Sequence, residues 1–149
     1  MTTLPLTGGC LCGAVRYEVT AEPQSSATCH CRMCQRQSGS AFMGFFTVPR
    51  SGLRMTGEVR EHASSGFATR GFCPVCGSSL TMAYAHEPDA VGLTMGTLDD
   101  PSSVPPALHW GVESWVVWLR ITDDLPRQRT DEDPEFLEAK RRAEERDAR

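Results

Sequence analysis

Apolar positions along this chain recur in short runs separated by turn signals. Val15-Arg16-Tyr17-Glu18-Val19 alternates apolar and polar residues, which predicts a half-buried strand. Ala41-Phe42-Met43-Gly44-Phe45-Phe46-Thr47-Val48 is apolar and aromatic and stops at Pro49, which predicts a buried strand. Residues 53–55 and 57–62 are expected to form a hairpin. Further strands are expected over residues 67–72, 79–84 and 90–97, and an irregular last strand over 109–119. Residues 21–28 read as a polar loop around Pro23, and residues 99–106 as a second loop. Many short strands with frequent turn signals predict a mainly β domain over residues 1–130.

The pattern changes at residue 131. Asp133-Pro134 supplies a helix N-cap and a proline at the first helical position, and residues 135–149 read as a short, charged C-terminal helix. Glu138–Arg142 and Glu145–Arg149 are spaced as i,i+4 ion pairs. Phe136 and Leu137 are its only large apolar residues, so a docked first turn and a solvated end are expected.

Composition narrows the functional classes. The chain has 149 residues, ordinary for one domain, with 40% hydrophobic and 23% charged residues. No apolar run approaches the roughly 20 residues of a membrane helix. The N-terminal segment has neither a basic start nor a long apolar stretch and does not read as a signal peptide, so the expected location is the cytoplasm. Net charge is −4, and the acidic excess is concentrated after residue 130. Arginines at 16, 32, 36, 50, 54, 60 and 70 are scattered, with no basic nucleic-acid footprint.

The cysteines change the picture most. All seven fall in three groups: Cys10-Leu11-Cys12, Cys29-His30-Cys31-Arg32-Met33-Cys34 and Cys73-Pro74-Val75-Cys76. An odd count cannot close a full disulfide framework, and clustered thiols in a reducing compartment point to metal. Cys73 and Cys76, with Gly77 allowing the turn behind them, form a knuckle that offers two sulfurs to one ion. Zinc takes four ligands, so a second pair is required. Alternate residues of an extended segment point the same way, so Cys10 and Cys12 can supply it. Cys29, Cys31 and Cys34 remain. Three protein ligands with one exchangeable position is how catalytic zinc sites are built.

Two alternatives stay open for the middle trio. A histidine (His30, His62, His86 or His109) would complete a closed structural site, with His30 expected to point away from the ion. Free or disulfide-forming thiols would instead make a redox sensor. Arg32, Arg36, Ser38 and Ser40 lie beside the trio in sequence and are candidates to hold a substrate carboxylate.

The segments Gly9-Cys10-Leu11-Cys12-Gly13-Ala14-Val15-Arg16-Tyr17, Cys29 to Cys34, Ser38-Gly39-Ser40-Ala41-Phe42 and Phe72-Cys73-Pro74-Val75-Cys76-Gly77-Ser78-Ser79-Leu80 resemble the glutathione-dependent formaldehyde-activating enzyme family, which shares its domain with centromere protein V. The late segment 109–126, with Trp118 and Asp124-Leu125-Pro126, is also similar, so the resemblance spans residues 5–127 and leaves the tail outside. It implies a zinc-anchored β fold of the Mss4-like type. It also implies a structural zinc on Cys10, Cys12, Cys73 and Cys76 and a functional zinc at Cys29, Cys31 and Cys34. The implied activity is carbon–sulfur lyase chemistry on an adduct such as S-hydroxymethylglutathione, with glutathione and an aldehyde as partners. His109 and Trp110 match the family's late segment and are candidates to line the pocket. The rival reading is a non-catalytic zinc module that binds a protein partner. No G-x-S-x-G, Walker-type or G-x-G-x-x-G motif competes.

Overall fold

The computed structural model describes residues 2–148. Its β-strands are β1 (Leu6–Gly9), β2 (Arg16–Val19), β3 (Ser25–Cys29), β4 (Met43–Pro49), β5 (Leu53–Thr56), β6 (Arg60–Ser65), β7 (Ala68–Phe72), β8 (Ser79–Tyr84), β9 (Ala90–Thr94), β10 (Leu108–Trp110) and β11 (Arg127–Gln128), with helices α1 (Arg32–Ser38) and α2 (Pro134–Asp147). The protein is mainly β, as its many short strands and frequent turn signals predict. A three-stranded antiparallel sheet has the order β1-β2-β5, and an eight-stranded sheet the order β11-β10-β3-β4-β9-β8-β7-β6. The large sheet is mixed, because β10 runs parallel to both β3 and β11. Among the described residues no helix is long and apolar enough to cross a membrane.

Strand β4 explains the architecture. Phe46 and Val48 face a core shared with Leu6, Tyr17 and Val19 of the small sheet and with Val91 and Leu93 of β9. Met43 and Phe45 point to the opposite face, where they pack with Cys29 and Cys34. Both faces of β4 are covered, which is why its sequence is apolar with little alternation. Burying Phe46 alone is worth about 1.5–3 kcal/mol.

Four local expectations are corrected. Residues 25–29 are a central strand rather than a loop. Their Ser-Ser-Ala-Thr stretch lacks bulk, but it pairs along its length with β4. The stretches at 53–55 and 57–62 are strands but not a hairpin: β5 joins β2 in the small sheet, and β6 pairs with β7 at the edge of the large one. The strand expected over 109–119 is β10, which ends at Trp110 because Gly111 has a left-handed φ of +69° and a 3-10 turn follows; β11 comes later in the chain. Helix α2 has the expected Asp133 cap, whose carboxylate accepts the Phe136 amide at 2.8 Å, but it docks beyond its first turn. Its small residues Ala139 and Ala143 are buried, and Arg146 donates to the Gly66 carbonyl. Glu138 pairs with both Arg141 and Arg142. The Glu145–Arg149 pair lies outside the described residues.

Candidate metal and thiol site

The two outer cysteine pairs meet in space. Cys10 and Cys12 lie in the tight turn after β1, Cys73 and Cys76 in the turn between β7 and β8, and their four sulfurs all fall within 4.8 Å of one another. Cys10 and Cys12 sulfurs are 3.6 Å apart, and Cys12 and Cys73 sulfurs 3.9 Å. Four sulfurs about 2.3 Å from one tetrahedral ion lie about 3.8 Å apart, so the donor set fits zinc. These spacings are far from a disulfide's roughly 2.05 Å.

The backbone supports this arrangement. The Val15 amide donates to the Cys10 sulfur at 3.2 Å. Gly77 takes φ +77°, and its amide closes the knuckle on the Cys73 carbonyl at 2.8 Å. The Ser78 hydroxyl, then its amide, hold Cys76 down to about 5. Val15 and Leu80 form a small apolar base with Cys10 and Cys73.

The middle trio is built locally. Cys29 ends β3, Cys31 caps α1 by accepting the Cys34 amide on its sulfur at 3.4 Å, and Cys34 lies one turn along the helix. Their sulfurs also lie within 4.8 Å of one another. Hydrogen bonds from the Cys29 and Cys34 thiols, the Cys34 amide and the charge of Arg70 hold Cys31 below the ordinary thiol range. Its hydrogen bonds to Cys31 and then Cys34, with burial, push Cys29 up. Among the described residues no histidine joins the three sulfurs at that distance. Three sulfurs within 4.8 Å of one another fit an ion bound by three protein donors.

Beside the trio lies Arg70, whose role the sequence alone does not distinguish from that of the other scattered arginines. Arg70 is 3% exposed, and its guanidinium donates to the Cys34 sulfur at 3.3 Å and to the Ser64 hydroxyl at 3.1 Å. Its signal in the sequence was period two along β7, where Ala68 and Arg70 share the covered face.

The trio opens onto a cavity of about 390 Å³ walled by Arg70, Trp110 and the helix residues Phe136 and Lys140. Arg32 lines it too and hydrogen-bonds Gln35. The other sequence candidates lie elsewhere. Arg36 and Ser40 border a separate surface hollow with Trp118. The Ser38 hydroxyl donates to the Cys34 carbonyl at 2.8 Å, closing the end of α1.

His109 is 1% exposed and sits behind the trio. Its register beside Thr28 places Trp110 against Cys29. His109 bonds Thr28 through Nδ1 at 2.7 Å and Asp123 through Nε2 at 3.0 Å. His30 Nε2 lies 3.0 Å from His109 Nδ1, and the His30 ring stacks on Trp115. Burial, then the neighbouring His109, lower His30 to about 4. Gly111 is required at the turn that follows, since a Cβ there would lie 3.0 Å from the Cys31 nitrogen.

A sequence profile described as glutathione-dependent formaldehyde-activating enzyme matches residues 5–116. The chain belongs to the glutathione-dependent formaldehyde-activating enzyme family. The matched segment holds every cysteine of both clusters and excludes α2. A protein of Schizosaccharomyces pombe named as an uncharacterized lyase is 35% identical over 79 residues, covering 53% of this chain and 58% of that protein. A Halomonas elongata protein, provisionally named as a glutathione-dependent formaldehyde-activating enzyme, is 30% identical over 129 residues, covering 78% of this chain and 80% of its own length. A Rhodobacter sphaeroides protein of known crystal structure is 25% identical with a TM-score of 0.50, covering 67% of this chain and 91% of that one. About two thirds of this family member therefore shares its fold with a solved protein.

Proposed function

We propose that the protein is a carbon–sulfur lyase that forms or cleaves a thiol–aldehyde adduct such as S-hydroxymethylglutathione. In this reading one zinc ion is sealed by Cys10, Cys12, Cys73 and Cys76, and a second is held by Cys29, Cys31 and Cys34. The observation that carries it is the convergence of three sulfurs, without a histidine, on the floor of a cavity of ligand size. The names of the two sequence relatives supply the reaction class.

Zinc bound at the trio would stabilise the thiolate of an incoming thiol, whose free pKa is about 8.5, at neutral pH. The chain's own residues do the rest. Arg70 places a buried positive charge against Cys34 and offsets the negative charge of three thiolates. Trp110 and Phe136 wall the cavity and limit water around the reacting groups. Arg32 at its edge is placed for a substrate carboxylate.

The reaction balances without oxidant or reductant. The thiol sulfur bonds to the aldehyde carbon, the carbonyl pair moves to oxygen, and the thiol proton ends on that oxygen. Cleavage reverses these movements. Replacing Cys31 with Ser tests the proposal. It should leave the fold intact, reduce bound zinc from two ions to one, and abolish glutathione binding in titration calorimetry. Unchanged affinity would remove the trio from the mechanism.

A further inference from the structure

Helix α2 lies beyond the segment shared with the family, yet it forms one wall of the cavity beside the trio. Its charges divide by face. Toward solvent, Glu138 binds Arg141 and Arg142 at 2.7 and 2.8 Å, and Arg141 also binds Glu145. Toward the cavity stand Lys140, Glu144 and Asp147. Among the described residues these three take part in no ion pair within 4.0 Å, although Lys140 and Glu144 have i,i+4 spacing. The helix approaches closely because Gly66 has no side chain: a Cβ there would lie 2.6 Å from Asp147 Oδ2 and 3.2 Å from Ala143 Cβ. Among the described residues, a cation and two carboxylates without ion pairs therefore line a cavity that also holds three thiols.

We propose that α2 reads the amino-acid end of the substrate, so that the thiol compound accepted here carries both a carboxylate and an ammonium group. Lys140, with Arg32 across the cavity, takes the carboxylate. Glu144 and Asp147 take the ammonium. The sulfur then reaches the trio, so this inference rests on the function proposed above. It makes the helix a specificity element outside the matched segment. A simple thiol would occupy the sulfur position without using α2.

Titration calorimetry on the zinc-loaded full chain tests this with three probes: glutathione, S-methylglutathione and 2-mercaptoethanol. S-methylglutathione keeps the charged ends but has no thiol proton, and 2-mercaptoethanol reports the sulfur position alone. Lys140→Gln and Glu144→Gln alter exposed helix positions, so both variants should fold. Each should weaken glutathione and S-methylglutathione by about tenfold, the worth of one charge-assisted hydrogen bond, and leave 2-mercaptoethanol unchanged. Unchanged affinity for both peptides in both variants would overturn the role of α2. Equal affinity of wild-type protein for glutathione and 2-mercaptoethanol would overturn it as well, while leaving the sulfur site standing. Failure of 2-mercaptoethanol to bind wild-type protein would instead overturn the function proposed above.

Discussion

The two sulfur clusters are assembled in opposite ways. Cys10 and Cys12 meet Cys73 and Cys76 across about sixty residues of sequence, through two tight turns, with Cys12 exposed. Cys29, Cys31 and Cys34 come from one strand end and one helical turn, with Cys29 and Cys34 buried. The long-range cluster has four sulfurs within 4.8 Å of one another over a small apolar base, and it links the turn after β1 to the turn between β7 and β8. The local cluster has three sulfurs, a buried arginine and a cavity. A closed donor set formed over a long loop suits anchoring. An open set on a short, well-packed segment suits exchange of a ligand, because losing that ligand need not unfold the chain.

Mutating each cluster should separate these roles. The largest effect is expected for Cys73→Ser, since structural zinc supplies on the order of 10 kcal/mol to folding. That variant should lose the cooperative melt seen by circular dichroism. A variant that keeps the wild-type melting temperature would place the anchor elsewhere. Next comes His109→Ala, which leaves Thr28, His30 and Asp123 short of a partner behind the trio. It should cost about 2–3 kcal/mol in denaturant unfolding while both ions stay bound. No loss of stability would show that the buried network contributes nothing to the scaffold.

Arg70→Met sharpens the contrast further. With the guanidinium gone from beside Cys34, the trio should hold its ion about tenfold more weakly in chelator competition. The four-cysteine ion should be unaffected, and equal loosening of both would deny Arg70 its local role.

Much of this contrast was legible in the sequence. The C-x-C and C-x2-C spacings identify which sulfurs can share an ion, alternation identifies β2, and the apolar run that stops at Pro49 identifies β4. What was not legible depended on tertiary contact. The β3 sequence Ser25-Ser26-Ala27-Thr28 has weak strand character and is fixed by pairing with β4 on one side and β10 on the other. Helix α1 is capped by a cysteine rather than by Ser, Thr, Asp or Asn, so no ordinary start signal precedes it. Arg70 reads as surface charge until β7 is placed against the trio. In α2 the docking stripe of Phe136, Ala139 and Ala143 relies on two small residues, which contribute little to an apolar pattern but allow close approach.

The smallest expected effect lies outside both clusters and serves as a control. Arg16 and then Thr7 hydrogen-bond Asp99 and hold its carboxylate down to about 2 from an ordinary 3.8. A lowered folded-state value adds stability above the unfolded value, and that stability is lost as pH falls from 3.8 toward about 2. The melting-temperature gap between wild type and Asp99→Asn should be small near neutral pH and close across that window. A gap that widens on acidification would contradict the assignment.

The most direct measurement is an anomalous-scattering map at the zinc edge from crystals of the zinc-loaded protein. Two peaks per chain are expected: one enclosed by Cys10, Cys12, Cys73 and Cys76, the other on Cys29, Cys31 and Cys34 with a fourth ligand that is not a side chain. A peak at the trio capped by a histidine or carboxylate, or no peak there at all, would contradict the division into an anchor and a reactive site.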